Sequence, residues 1–138
     1  MKLIYFILLT ISLCAKGNIA AQAVELGGKK YVIEGTRRGW NALLRDSVVL
    51  VHRTIPRRHD YLEFFDDSTF HFNYLNYTDR TNQTHYQKSL WSPGVWEYHP
   101  DSNSLKLVFT DNQRILSYSI RNKPNNTLIL YTRKQEKN

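Results

Sequence analysis

The chain has a single cysteine, Cys14, among its 138 residues. One cysteine cannot close an intramolecular disulfide. If the segment carrying it is removed, thiolate metal sites and cysteine nucleophiles are excluded as well. Long apolar runs are also scarce. The one clear example, from Leu3 to Ala15, is too short to cross a bilayer as a helix, and Lys16 ends it. The zinc-binding H-E-x-x-H, the G-x-S-x-G nucleophile elbow, the phosphate-cradling glycine loop and the dinucleotide fingerprint are all missing. Glutamates and aspartates lie at turns or on the polar faces of strands, with no sign of the burial that separates a catalytic acid from its base. These absences argue against an enzyme.

What is present begins with a leader. Lys2 precedes the apolar run, and small residues follow it, ending in Ala21-Gln22-Ala23. This order reads as a secretory signal peptide over residues 1–23, cleaved after Ala23 or after Ala21, with one domain over 24–138. A membrane anchor is the first alternative, and Lys16 argues against it. Lipidation of Cys14 is the second, and the bulky Leu13 before it argues against that. The expected location is therefore secreted or periplasmic. The chain has 19 basic and 12 acidic residues, for a net charge of +7. Arg37, Arg38, Arg45, Arg53, Arg57 and Arg58 crowd its first half. Such a patch suits phosphate, but export removes the protein from most nucleic acid, so an anionic surface is the expected partner class.

Downstream of the leader the pattern is one of strands. In "YLEFFDDSTFHFNY", Leu62, Phe64, Phe70, Phe72 and Tyr74 alternate with Glu63, Thr69, His71 and Asn73, and Asp66-Asp67-Ser68 makes a turn between them. "SVVLVHRT" is a β-branched strand that ends where Pro56 interrupts. Ser92-Pro93-Gly94 reads as a turn, and Asn76 to Gln87 as a long polar loop with a ragged strand at its end. Further strands place Trp96 with Tyr98; Leu105 with Leu107 and Phe109; and Leu116 with Tyr118 and Ile120. "TLILYT" follows the turn at Lys123-Pro124-Asn125-Asn126. Trp40 to Leu44 has helical character, as a single turn capping an opening. About eight short strands joined by turns make an all-β antiparallel meander, and closure into an up-and-down barrel removes its sticky edges.

The run Gly94-Val95-Trp96-Glu97-Tyr98, followed by Leu105-Lys106-Leu107, Tyr118-Ser119-Ile120 and Leu128-Ile129-Leu130, resembles the lipocalin-like domains of small secreted bacterial proteins. "YLEFFDDSTFHF" resembles their first hairpin, with Asp67-Ser68 where the family often has glycine. The resemblance spans Tyr61 to Tyr131. It implies a lipocalin-like barrel, and it implies a tryptophan plugging one barrel end. Gly39 and Trp40 are adjacent here, whereas the family has one residue between them. Activity does not follow from the fold.

Two sets of candidate binding residues emerge. Phe64, Phe72, Tyr74, Trp96, Tyr98 and Tyr118 share the inner face, offering apolar area plus polar handles to a small hydrophobic or amphipathic ligand. The same rings also suit simple filling of a small barrel. Arg53, Arg57 and Arg58 lie in the connection that leads from the β-branched strand to the hairpin, expected as a basic rim at one barrel end. On that second reading the barrel is a filled scaffold that docks on an acidic protein, lipid head group or polysaccharide. The five histidines are scattered, with no ligand spacing for a metal, and no cofactor is expected.

Overall fold

A computed structural model of the chain describes residues 24–36, 39–56, 59–78 and 86–134. The expected leader, Cys14, Arg37, Arg38, Arg57, Arg58 and His85 lie outside the described residues. Eight strands close into an all-antiparallel barrel: β1 (Lys29–Ile33), β2 (Ser47–Val51), β3 (Tyr61–Phe64), β4 (Thr69–Thr78), β5 (Tyr86–His99), β6 (Ser104–Phe109), β7 (Ile115–Lys123) and β8 (Thr127–Thr132). One helical turn, α1 (Trp40–Leu43), joins β1 to β2.

From β3 to β8 the strands follow one another up and down around the ring. The ring then closes through the first hairpin set the other way round: β1 lies against β3, and β2 against β8. Val51 of β2 and Tyr61 of β3 therefore flank the same residue, Val32, on opposite edges of β1. The connection from Val51 to Tyr61 must cross β1 to join them. It does so on the outside, because Val32 points outward between the inward Tyr31 and Ile33 and is nevertheless fully buried. The segment holding Arg53, Ile55 and Pro56 is thus a strap over β1, in place of the end loop expected from sequence. Arg53 on this strap ion-pairs with Glu34 at the end of β1.

Alternation sets the inner face as the sequence predicts. Leu62, Phe64, Phe70, Phe72, Leu105, Leu107, Tyr118, Ile120, Leu128 and Leu130 are buried in one core, with Tyr74, Trp96 and Tyr98 packed against it half-buried. Asn125 and Asn126 turn β7 into β8 in the left-handed region, at φ 62° and 54°. Asparagine tolerates that region better than most side chains. Ser68 stands in the same region, φ 66°, where the lipocalin-like hairpin often has glycine. The Asp67 carboxylate accepts the Thr69 N–H at 3.0 Å and fastens this turn.

Two further expectations from sequence are corrected. Ser92-Pro93-Gly94 is no turn but the middle of the 14-residue β5. Pro93 faces Thr110, whose N–H it accepts at 3.0 Å, just past the point where the β5–β6 ladder starts at Gly94 and Phe109. A missing N–H costs no ladder bond there. Gly94 is needed for closeness: a Cβ would come within 2.3 Å of the Val108 carbonyl and 2.5 Å of the Phe70 ring. The second correction concerns the polar stretch Asn76 to Gln87, whose first described part, Asn76 to Thr78, is strand. β4 continues to Thr78 and pairs there with Tyr86, because its polar side chains still leave the backbone free to form a ladder.

Candidate functional site

The two ends of the barrel are built differently. At one end α1 sits as a plug. The Trp40 ring packs against Phe109 (centroids 4.5 Å apart), Phe72 (5.5 Å) and Tyr74 (6.3 Å), and the Arg114 guanidinium lies over it at 4.9 Å. Behind it Ala42 and Leu43 are fully buried. A tryptophan does plug this end, but from a helical turn after β1, whereas the resemblance implies one just before or within the first strand. Gly39 opens that turn at φ 61°, a conformation that suits a residue without a Cβ.

Asp60 ties the plug down. It is a fully buried carboxylate, accepting the Gly39 N–H at 2.6 Å through one oxygen and the Leu75 N–H at 3.1 Å through the other. One side chain thus joins α1 to β4. The sequence gives little hint of this, because Asp60 precedes a strand like any turn aspartate. Tyr118 provides the second tie, donating its hydroxyl to the Leu43 carbonyl at 2.8 Å from inside the core. Burial pushes this phenol far above its usual pKa. Beside the plug lies a recess of about 160 Å³ bordered by Leu44 and Ile115, well below the volume of usual small-molecule sites.

The six predicted aromatic residues do come together on the inner face, and Phe70 and Phe109 join them. Phe72 stacks on Tyr74 at 4.9 Å, and Phe64 meets Trp96 edge-on at 5.8 Å. The polar handles of Trp96, Tyr98 and Tyr118 are already engaged. Trp96 Nε1 donates to the Phe65 carbonyl at 3.3 Å, Tyr98 donates its hydroxyl to Asn103 Oδ1 at 2.9 Å, and Tyr118 holds Leu43. Rings that contact one another and hydroxyls that bond the protein itself make a packed interior.

The opposite end is open. Residues 24–28 cross it, with Leu26 buried in the core and the Val24 N–H donating to the Tyr98 hydroxyl at 3.4 Å. Beside this segment lies a groove of about 520 Å³, within the usual range for small-molecule sites. Tyr31, His52, Leu128 and Val24 line it, with Lys29, Glu25, Asn122 and Asn126 around them. His52 is fixed there. Its Nδ1 donates to the Lys30 carbonyl at 2.8 Å, and its ring lies 5.5 Å from that of Tyr31. Tyr31 also meets Phe64 edge-on at 6.0 Å, so the groove floor continues into the aromatic core. Burial raises the Tyr31 phenol, keeping it a neutral hydroxyl.

Sequence reasoning placed no site at this end. His52 falls in the β-branched strand and Asn126 in the turn at Lys123-Pro124-Asn125-Asn126, while neither Tyr31 nor Asn122 belongs to a motif. Only closure of the barrel brings them together. Of the predicted basic rim, Arg53 is ion-paired with Glu34, while Arg57 and Arg58 lie outside the described residues. Among the described residues, no three histidine, cysteine or acidic side chains are grouped to hold a metal. No family model, no curated protein and no solved structure matches this chain.

Proposed function

We propose that this is an exported, non-catalytic binding protein of lipocalin-like build that takes a small amphipathic molecule at the end of the barrel crossed by residues 24–28. The groove of about 520 Å³ carries this reading. Tyr31 and Leu128, both nearly buried, give it a small apolar floor, and most of its lining is polar, with donors and acceptors from His52, Asn122, Asn126 and Lys29. That combination suits a molecule with one apolar part and one polar end. The inner aromatic residues, Phe64, Phe72, Tyr74, Trp96, Tyr98 and Tyr118, serve as the rigid backing of the site. A ligand seated deeper among them would have to break contacts that the fold already uses.

The test is native mass spectrometry of the exported protein purified from its own host. The expected result is a bound small molecule of definite mass. Asn122→Trp, which places a large ring on an exposed rim residue, should lower its occupancy while the fold persists. A protein that emerges empty, and stays empty when challenged with fatty acids and other amphipathic metabolites, would contradict the proposal.

A further inference from the structure

Closed barrels usually turn a polar face to water, and here one stretch of outer wall sets exposed apolar side chains, Trp91 and Val95, among its polar ones. Over β3, β4 and β5 the register sets Tyr61, Asn73 and Trp91 in one outward row and Glu63, His71 and Pro93 in the next. The rings are in contact: His71 lies 4.6 Å from Trp91 and 4.9 Å from Phe65. Trp91 is 57% exposed and Val95, one row further on, 45%. An exposed aromatic strip held against its neighbours is a preformed contact surface.

Two observations say what it contacts. Asn73 Nδ2, between Tyr61 and Trp91, is buried and has no hydrogen-bond partner. A donor left in that state costs stability and calls for an acceptor. The flanking charge is balanced, because Lys30 pairs with Glu63 at 3.3 Å and lies over the Tyr61 ring at 5.9 Å. A neutralised pair beside an aromatic strip gives a phosphate or an acidic surface little to hold. It suits a neutral molecule whose apolar face lies on a ring while oxygens around its edge meet the amide and the ion pair. The closed ring of strands also leaves no sheet edge here for an added peptide strand.

We propose that this outer strip, centred on Trp91 with Asn73 beside it, binds a neutral saccharide. The sugar's C–H face lies on the Trp91 indole, and the Asn73 amide, buried in the unliganded fold, turns outward to donate to one of its oxygens. This site is separate from the end groove and does not depend on it.

Electrophoresis of the folded protein through native gels containing mannan, laminarin or hydroxyethylcellulose tests the proposal, with the thermal midpoint of each variant measured alongside. The wild type should be retarded by at least one of these polymers. Trp91→Ala removes a largely exposed ring, so it should fold normally yet bind about tenfold more weakly or worse. Asn73→Leu should weaken retardation while leaving the midpoint equal or higher, since it removes an unpaired buried donor. Asn122→Trp, in the end groove, should leave retardation unchanged. Wild type that runs freely in all three polymers overturns the proposal, as does equal retardation of Trp91→Ala. Unchanged retardation of a folded Asn73→Leu would also overturn the role given to the amide. If Trp91→Ala abolishes self-association in sedimentation and no polymer retards the wild type, the strip is a contact between copies of the chain.

Discussion

The two ends of this barrel start from similar material and finish differently. Each is crossed by a short non-strand segment that sends an apolar side chain inward: Trp40 from α1 at one end, Leu26 from residues 24–28 at the other. At the α1 end the segment is fixed by a buried carboxylate, a buried phenol and a guanidinium stacked on the indole. At the other end the ties include the Tyr98 hydroxyl, the Tyr31 hydroxyl donating to the Glu25 carbonyl and the Gly28 N–H bond to the Phe64 carbonyl, and a groove remains beside them. A small barrel can thus fill its middle and plug one end while leaving a groove at the other.

Substitutions should separate the two ends, and the sealed one should show the larger stability losses. Phe72→Ala removes a fully buried ring that supports Trp40 and should cost about 3–5 kcal/mol in denaturant unfolding. Asp60→Asn leaves one backbone N–H facing an amide that cannot accept from it. A loss of about 2–3 kcal/mol is expected, with faster amide exchange at Gly39 and Leu75. Tyr118→Phe strands the Leu43 carbonyl and should cost about 1–2 kcal/mol.

The pH dependence of the last variant sharpens the comparison. Folding raises the Tyr118 pKa above its ordinary 10.0, so the native state favours the protonated phenol. The stability it confers is fully present below that pH and is lost as pH rises through the folded value. Wild type should therefore lose stability above about pH 10, and Tyr118→Phe should show a shallower alkaline decline. At the open end, Asn122→Trp should change stability by under about 0.5 kcal/mol, as surface substitutions usually do, while altering occupancy of the groove. If it proved as damaging as Asp60→Asn, the contrast between the ends would fail.

What was legible in the sequence follows the same division. Period-two alternation identified the inward faces of β3 to β8, because burial on one side of a pleated strand leaves no other pattern. Trp40 as a cap was legible from its short helical stretch. The exchange of β1 and β2 was not legible, since neighbour choice depends on which edges are free once the ring closes. Pro93 and Gly94 misled for a definite reason: their turn propensity is local, whereas their strand placement depends on β6 ending and on the Phe70 ring lying close. The groove was invisible because Tyr31, His52 and Asn122 come from separate strands or their ends, and no spacing links them. Arg53 illustrates the opposite error, a charge that looked free in sequence and is paired with Glu34 in the fold.

Amide shift mapping by ¹⁵N–¹H NMR, during titration with the amphipathic probe 1-anilinonaphthalene-8-sulfonate, tests the central claim most directly. The largest shifts should fall on Tyr31, His52, Asn122, Asn126 and Leu128, with Gly39, Trp40 and Leu43 nearly unmoved. Shifts concentrated at Trp40, Phe72 and Tyr118, with the groove residues silent, would contradict it.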